Sequence, residues 1–327
     1  MADSVFFTRE WPGNAARSLS ELGLDVEVWQ DYDKPPASEL AARIDQGVFA
    51  LVTTVEDPIG DELLARCDGR LKIIAQAGVG YDNIDVAAAA QCGVWVSNTP
   101  GVLDDATADL AFGLMCSAAR RLPEADKFVR DGKWTGWHPS MLLGKEIAGA
   151  TVGVVGLGRI GLAFARRCAG FGMRVLYTAN SEKPAAAEIG AEFTSLEKLL
   201  RQSDFVSIHV PLNDETRGLI DGDRLEMMRD DAILVNTARG PIVDTLALVR
   251  ALEAGQIGGA ALDVTDPEPI PADHPLLTAP NLVIAPHIGS AGRKTRERMA
   301  SVATENVVAV SRGERPPNPV GPAPRRV

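Results

Sequence analysis

Short runs of β-branched and aromatic residues alternate with helical patterns over most of the chain. A first series of such runs is "VFF" (5–7), "VEVW" (26–29), "ALVTTV" (50–55), "LKIIAQ" (71–76) and "VWVSN" (94–98). A second series is "TVGVVG" (151–156), "RVLYT" (174–178), "FVSIHV" (205–210), "AILVNT" (232–237), "AALDV" (260–264) and "LVIAP" (282–286). Strands separated by helices need crossover connections, so the spacing predicts parallel sheets. Several runs are apolar at every position, as strands covered on both faces must be.

Two series of this kind predict an α/β fold of two doubly wound parallel-sheet domains, flavodoxin-like and Rossmann-type, with an interdomain cleft. The turn-rich stretch "NTPGV" (98–102) marks the expected boundary. One domain is then 1–100 together with 292–327, a substrate domain, and the other is 101–291, a dinucleotide-binding domain. Beyond the boundary, Asp104 or Asp105 can cap a helix through about Arg121, with Leu110, Leu114 and Ala118 on one face. That helix carries few charges and is expected to be deeply packed, between domains or subunits. A last helix, about 292–312, places Met299, Val302, Ala303, Val307 and Val310 on one stripe and is expected to return to the first domain. The proline-rich tail (313–327) reads as extended and mobile.

Composition narrows the function classes. The 327 residues are 46% hydrophobic and 24% charged, an ordinary globular make-up long enough for two domains. Acidic residues outnumber basic ones 44 to 33, for a formal net charge of −11, which argues against a nucleic-acid binder. No basic segment followed by an apolar run opens the chain, and no uncharged run approaches the roughly 20 residues that span a membrane. Cys67, Cys92, Cys116 and Cys168 are scattered without a Cys-x-x-Cys pair, so reduced, mostly buried thiols in a cytoplasmic protein are expected, with no metal.

The stretch "TVGVVGLGRIG" (151–161) carries the first chemical signal. In a strand–turn–helix setting, Gly156 permits the tight turn, Gly158 lets the backbone approach a pyrophosphate, and Gly161 lets helix and strand pack closely. The amides of Arg159 and Ile160 then face the phosphates. The next strand ends in "LYTANSEKP" (176–184), with no carboxylate directly after it to bind ribose hydroxyls. Asn180, Ser181 and Lys183 can instead receive a 2′-phosphate, which favours NADPH and leaves NADH open. A solvated turn is the plainer alternative for this loop.

Three further stretches follow predicted strands: "NTARGP" (236–241), "DVTDPEP" (263–269) and "APHIGS" (285–290). They bring Arg239, Glu268 and His287 to the strand C-termini, where ligands bind in open parallel sheets. Each alone has an unremarkable reading, as a surface cation, a turn carboxylate or a core histidine. Grouped beside a dinucleotide turn, they match the needs of 2-oxo acid reduction. Arg239 offers a fork to the carboxylate and reaches the carbonyl oxygen. His287 supplies the proton, and Glu268 orients the imidazole and favours its charged form.

Seven segments, "GVGYDNID" (78–85), "NTPGVLDDATADLAFGL" (98–114), "GLGRIG" (156–161), "HVPLNDETRGLI" (209–220), "NTARGPIVD" (236–244), "LDVTDPEP" (262–269) and "PHIGSA" (286–291), resemble the D-2-hydroxyacid dehydrogenase family over nearly the whole chain. "RRLPEADKFVRDGKWTGWHP" (120–139) and "HPLLTAPNLVIAPHIGSA" (274–291) are most similar to glyoxylate/hydroxypyruvate reductases. The resemblance implies Arg239, Glu268 and His287 as the catalytic set, and substrate carboxylate on the backbone at Val79 and Gly80, with Ser290 nearby. It implies Asp263 at the nicotinamide amide and Thr107, Pro211 and Thr237 along the cofactor. Leu157, Thr216, Ala238 and Gly289 complete that lining, with Arg239 and His287 also touching it. It further implies a homodimer built through the helices after residue 100, in which Trp137, or else Trp134, reaches the partner's active site and narrows the pocket. His209 is expected beside the cofactor without titrating usefully, and His138 and His274 on surface loops. The implied reaction is reduction of glyoxylate or hydroxypyruvate to the D-2-hydroxy acid. A broader 2-oxo acid reductase, a phosphoglycerate dehydrogenase-like enzyme and a dinucleotide-sensing, corepressor-like binding module remain the alternatives.

Overall fold

The computed structural model describes residues 3–324. The chain divides into two compact units, one holding everything up to Leu103 and from Ala291 onward, the other Asp104–Ser290. The division falls within three residues of the turn-rich stretch at 98–102 that the sequence marks.

The first unit opens with β1 (Ser4–Phe7), α1 (Ala15–Glu21), β2 (Asp25–Val28), α2 (Ala37–Asp45) and β3 (Ala50–Thr53). It continues through α3 (Asp61–Leu64), β4 (Ile73–Gln76), α4 (Val86–Gln91) and β5 (Trp95–Ser97). The second unit begins with α5 (Asp104–Ala119) and α6 (Leu122–Arg130). Next come β6 (Thr151–Val155), α7 (Arg159–Gly170), β7 (Arg174–Thr178), β8 (Glu192–Phe193), α8 (Leu196–Gln202) and β9 (Phe205–Ile208). The unit closes with α9 (Gly222–Met227), β10 (Ile233–Asn236), α10 (Thr245–Glu253), β11 (Gly259–Leu262) and β12 (Leu282–Ile284). The chain then re-enters the first unit as α11 (Arg293–Ser311) and β13 (Pro319–Val320).

In the first unit the strands lie in the order β2-β1-β3-β4-β5-β13, the flavodoxin-like arrangement with one strand added. Residues at every position of β3 and β4 are buried, because helices cover both faces of the sheet. On one face, α11 buries Ala303 and Val307 against Val5, Phe7, Val52 and Ile73, as the hydrophobic stripe of the last helix predicts. In the second unit the order is β8-β7-β6-β9-β10-β11-β12, all parallel, the doubly wound dinucleotide-binding arrangement. Here α5 and α7 pack on one another and share a core with Val152, Val154 and Tyr177.

Four expectations change. Part of the tail is not a loose extension: Pro319–Val320 pairs antiparallel with β5, so the first sheet is not wholly parallel. Fully buried Asn306 fixes that return, its Oδ1 accepting the Asn318 amide at 2.8 Å. Residues 325–327 of the tail lie outside the described residues. The two-residue β8 has too few residues to show a period, and its register comes from β7. Helix α5 ends at Ala119 rather than near Arg121, and its contacts to α7, β10 and β11 form part of the second unit's core. Its buried face is Ala108, Ala111, Leu114 and Met115, while Leu110 and Ala118 are only half-buried, since small residues let it approach α7 closely. All four cysteines are free, but only Cys168 is buried; the other three are half-buried at the edges of their cores. Among the described residues, no helix is long and apolar enough to cross a membrane.

Candidate active site

The glycine turn separates three requirements that the sequence could only list together. Gly156 has φ +95°, the left-handed region that a side chain resists, and a Cβ there would lie 2.9 Å from the His209 carbonyl. A Cβ on Gly161 would meet the Gly156 carbonyl at 2.1 Å, so glycine is the only residue that lets α7 start this close to β6. Around Gly158 there is nothing within 4 Å of a Cβ position, which leaves open space before the helix. Amides of Arg159 and Ile160 at the helix start donate to no group among the described residues. Orphan amides with the helix dipole behind them suit a pyrophosphate.

The neighbouring loops are shaped for the same ligand. Thr237 buries its hydroxyl with no partner among the described residues, a polar atom that a bound cofactor can satisfy. Thr216 uses its hydroxyl to hold the Pro211 carbonyl at 2.6 Å, fixing the loop after β9. Leu157 is buried beneath the turn. After β7, Asn180 and Ser181 are exposed and Lys183 is half-buried. Buried Tyr177 anchors that loop, its hydroxyl accepting the Lys183 amide at 2.9 Å. His209 lies under the turn, its Nε2 2.8 Å from Ser207 Oγ and its ring against Phe164. Burial pushes its pKa down to about 3, so the ring stays neutral and has no part in proton transfer near neutrality.

At the same edge of the sheet, three strand ends carry Arg239, Glu268 and His287. Beyond β12, His287 adopts φ +53°, uncommon for a residue with a side chain. Asp263, just beyond β11, holds that conformation. Its carbonyl accepts the His287 amide at 2.8 Å, and its two carboxylate oxygens accept the Ile288 and Gly289 amides at 2.7 Å each. Burial pushes the Asp263 carboxyl above its ordinary value, against the pull of those amides and of His287. Thr107 of α5 stands in the same place, its hydroxyl 3.5 Å from where a Gly289 Cβ would be. Ser290, half-buried, ends the turn.

The imidazole is oriented from the next loop. His287 Nδ1 is 2.5 Å from Glu268 Oε1, and Glu268 Oε2 accepts the Thr265 amide at 3.2 Å. Burial works to raise the Glu268 pKa; the His287 hydrogen bond and charge, the Thr265 amide and the Arg239 charge outweigh it, and the carboxyl sits below its ordinary value. Arg239 follows β10. Its carbonyl accepts from Asn236 Nδ2 at 2.8 Å, and its guanidinium donates to the Ala238 carbonyl at 2.8 Å. Gly240 lets this loop press on the Glu268 loop, since a Cβ there would lie 1.9 Å from the Thr265 carbonyl.

The second unit therefore assembles Arg239, Glu268 and His287 beside the dinucleotide turn. Sequence reasoning missed Asn236, Gly240 and Thr265, which hold the set in place. Only the glycine after Arg239 was a visible signal. Val79, Gly80, Asn98 and Gln76 lie in the first unit, where the loop after β4 is built. His138 is exposed, and His274 is half-buried and caps a short turn, its Nδ1 accepting the Leu276 amide at 3.2 Å. Trp134 and Trp137 are 58% and 80% exposed in a segment that buries none of its residues from Leu122 to Ser140.

A doubly wound sheet with a glycine turn, an orphaned threonine and an Arg–Glu–His set at one edge defines an NAD(P)-dependent oxidoreductase. Residues 112–289 match the model of the D-isomer specific 2-hydroxyacid dehydrogenase NAD-binding domain. The chain is 49% identical over 323 residues to a glyoxylate reductase of Thermococcus litoralis, covering 97% of this chain and 96% of that one. It is 51% identical over 319 residues to a glyoxylate reductase of Aeropyrum pernix, covering 96% and 94%. The crystal structure of the TT0316 protein from Thermus thermophilus superposes with a TM-score of 0.91 at 52% identity, covering 97% of this chain and all of that one. The chain belongs to the D-isomer specific 2-hydroxyacid dehydrogenases.

Proposed function

We propose that this enzyme reduces glyoxylate and hydroxypyruvate to glycolate and D-glycerate, with NADPH favoured over NADH. The observation that carries the reading is the 2.5 Å Glu268–His287 pair set beside Arg239 at the edge of a dinucleotide-type sheet. Two relatives about half identical over nearly the full length are glyoxylate reductases, which supports the substrate class.

In this mechanism the Arg239 guanidinium polarises the 2-oxo group and pairs with the carboxylate. In the first unit, the backbone at Val79 and Gly80 is the carboxylate seat that the family resemblance implies. His287 delivers a proton from Nε2 to the carbonyl oxygen as charge develops there. Glu268, accepting at Nδ1, holds the ring with Nε2 toward the substrate side. The bound nicotinamide dinucleotide supplies the hydride. Gly156, Gly158, Gly161 and the Arg159 and Ile160 amides would hold the pyrophosphate. Thr107, Thr237, Asp263 and Gly289 would line the nicotinamide end, with Leu157, Pro211, Thr216 and Ala238 around them.

The preference for NADPH rests on the loop after β7, where Asn180, Ser181 and Lys183 present donors and no carboxylate stands at 178–181 to repel a 2′-phosphate. The working form is taken to be a cytoplasmic homodimer. Free thiols support the compartment, and the exposed Leu122, Val129, Trp134, Trp137 and Leu143 support the second copy. In that dimer Trp137 closes the partner's pocket against larger oxo acids, with Ser290 on the substrate side.

Steady-state kinetics with glyoxylate, hydroxypyruvate and pyruvate, each with NADPH and NADH, test the reading. The first two substrates with NADPH are expected to give the highest kcat/KM. Failure to turn over any of the three overturns it.

A further inference from the structure

Gln76 ends β4 and is fully buried. A buried primary amide is costly unless each of its groups is paired. Here every one is: Oε1 accepts from Thr53 Oγ1 at 2.7 Å, and Nε2 donates to Asn83 Oδ1 at 2.9 Å and to the Gly80 carbonyl at 3.2 Å. Asn83 is itself anchored, its Nδ2 donating to the Thr54 and Asp57 carbonyls at 3.0 and 2.7 Å. Asp57, buried in turn, accepts from Thr8 Oγ1 at 2.6 Å and from the Thr54 amide at 2.7 Å.

This network grips one end of a short loop, and the two residues just after β5 grip the rest. The Gly78 carbonyl accepts the Thr99 amide at 2.9 Å, and the Val79 carbonyl accepts from Asn98 Nδ2 at 2.9 Å. Three successive carbonyls, at 78, 79 and 80, are thereby tied to fixed donors. These peptides are trans, and in a trans peptide the following N–H points opposite to the C=O. Fixing the three carbonyls therefore aims the amides of Val79, Gly80 and Tyr81. None of those amides donates to any group among the described residues. Consecutive amides on fixed peptide planes, with no partner of their own among the described residues, can seat a carboxylate.

We propose that Gln76 and Asn98 are positioning residues for the substrate carboxylate. Asn98 aims the Gly80 amide through the Val79 carbonyl, and Gln76 aims the Tyr81 amide through the Gly80 carbonyl. The seat thus extends one residue beyond Val79 and Gly80. Neither side chain touches the substrate; both act by removing the rotational freedom of two peptide planes, so the anion meets a preorganised site. The inference rests on the reading of this loop as the carboxylate seat.

The test uses Gln76→Met and Asn98→Ala in the full-length enzyme. KM for glyoxylate and Ki for oxamate, an unreactive carboxylate, are expected to rise about tenfold in each, the scale of one hydrogen bond. The kcat and the dinucleotide affinity should stay within about threefold, because the matched NAD-binding domain (112–289) lies outside the altered unit. Unchanged KM and Ki, or a loss carried by kcat or dinucleotide affinity instead, overturns the proposal. Should Gln76→Met fail to fold, Gln76→Glu keeps the volume and the Thr53 bond but loses the donor to Gly80, and the same rise is expected. Gly80→Pro, which deletes one N–H, separates the two levels. A KM rise there without one in the Gln76 and Asn98 variants leaves the seat standing and removes their role. No rise in any of them removes the seat itself.

Discussion

Glu268 accepts on both oxygens, from His287 Nδ1 at 2.5 Å and from the Thr265 amide at 3.2 Å. The carboxylate is thus fixed on its own loop before it fixes the ring. With Nδ1 engaged, Nε2 is the nitrogen left to exchange a proton with a ligand. The left-handed turn held by Asp263 sets where that nitrogen points.

Replacing His287 by Asn is expected to lower kcat by about 10²–10⁴, the usual contribution of positioned proton transfer. Dinucleotide affinity, measured by calorimetry, should change less than about threefold, since on the proposed reading the phosphates bind at the start of α7. Matching losses in both would contradict the assigned role. The Glu268 carboxyl lies below its ordinary value, so its support for the ring, and the stability it adds, are present above the ordinary carboxylate pKa and fade as pH falls through the lowered one. In His287→Asn that carboxyl should titrate at higher pH, which a carbon-13 shift of the Glu268 side chain can follow.

His209 supplies a pH dependence of stability rather than of activity. Its folded pKa of about 3 lies below the value of about 6.5 for an exposed histidine. Between those limits the unfolded chain binds a proton that the folded chain refuses. Stability therefore falls as pH drops through that window, by at most about 1.4 kcal/mol per unit from this group. Urea unfolding at several pH values should show a shallower acid loss in His209→Gln than in the parent. Parallel slopes would refute it.

Gly158 and Gly161 should fail differently when changed to alanine. Gly158→Ala meets nothing within 4 Å, so stability should hold within about 0.5 kcal/mol while dinucleotide Kd rises about tenfold. Gly161→Ala drives a methyl to 2.1 Å from the Gly156 carbonyl and should cost about 1–3 kcal/mol of stability as well as affinity. Thermal unfolding alongside dinucleotide titration distinguishes them, and a destabilised Gly158→Ala would remove the open-approach reading.

Asn180→Asp places a carboxylate on the exposed loop after β7, where it repels a 2′-phosphate and can accept ribose hydroxyls. The ratio of kcat/KM for NADPH to that for NADH should fall about tenfold or more, since one like-charge contact is worth on the order of 1 kcal/mol or more near a protein surface. An unchanged ratio would show that this loop does not read the phosphate.

What the sequence determined by itself is local. Runs of β-branched residues such as "FVSIHV" and "AILVNT" can be little other than covered parallel strands, and a glycine turn between strand and helix carries its meaning in its own spacing. Arg239, Glu268 and His287 were visible because each follows a strand, and strand ends of a parallel sheet share one edge. Tertiary structure decided what depends on where distant chain returns. Gln76 and Asn98 have no local signal, since the carbonyls they hold are reached through the packing of β4 against β5. The family resemblance implies Asp263 at the cofactor, but only the fold shows that its two oxygens also accept the 288–289 amides, 25 and 26 residues away. The proline-rich tail pairs with β5 only because buried Asn306 catches it on the way. Periodicity reports which face of an element is buried; a hydrogen bond between remote segments exists only once the core has brought them together, and no pattern along the chain encodes it.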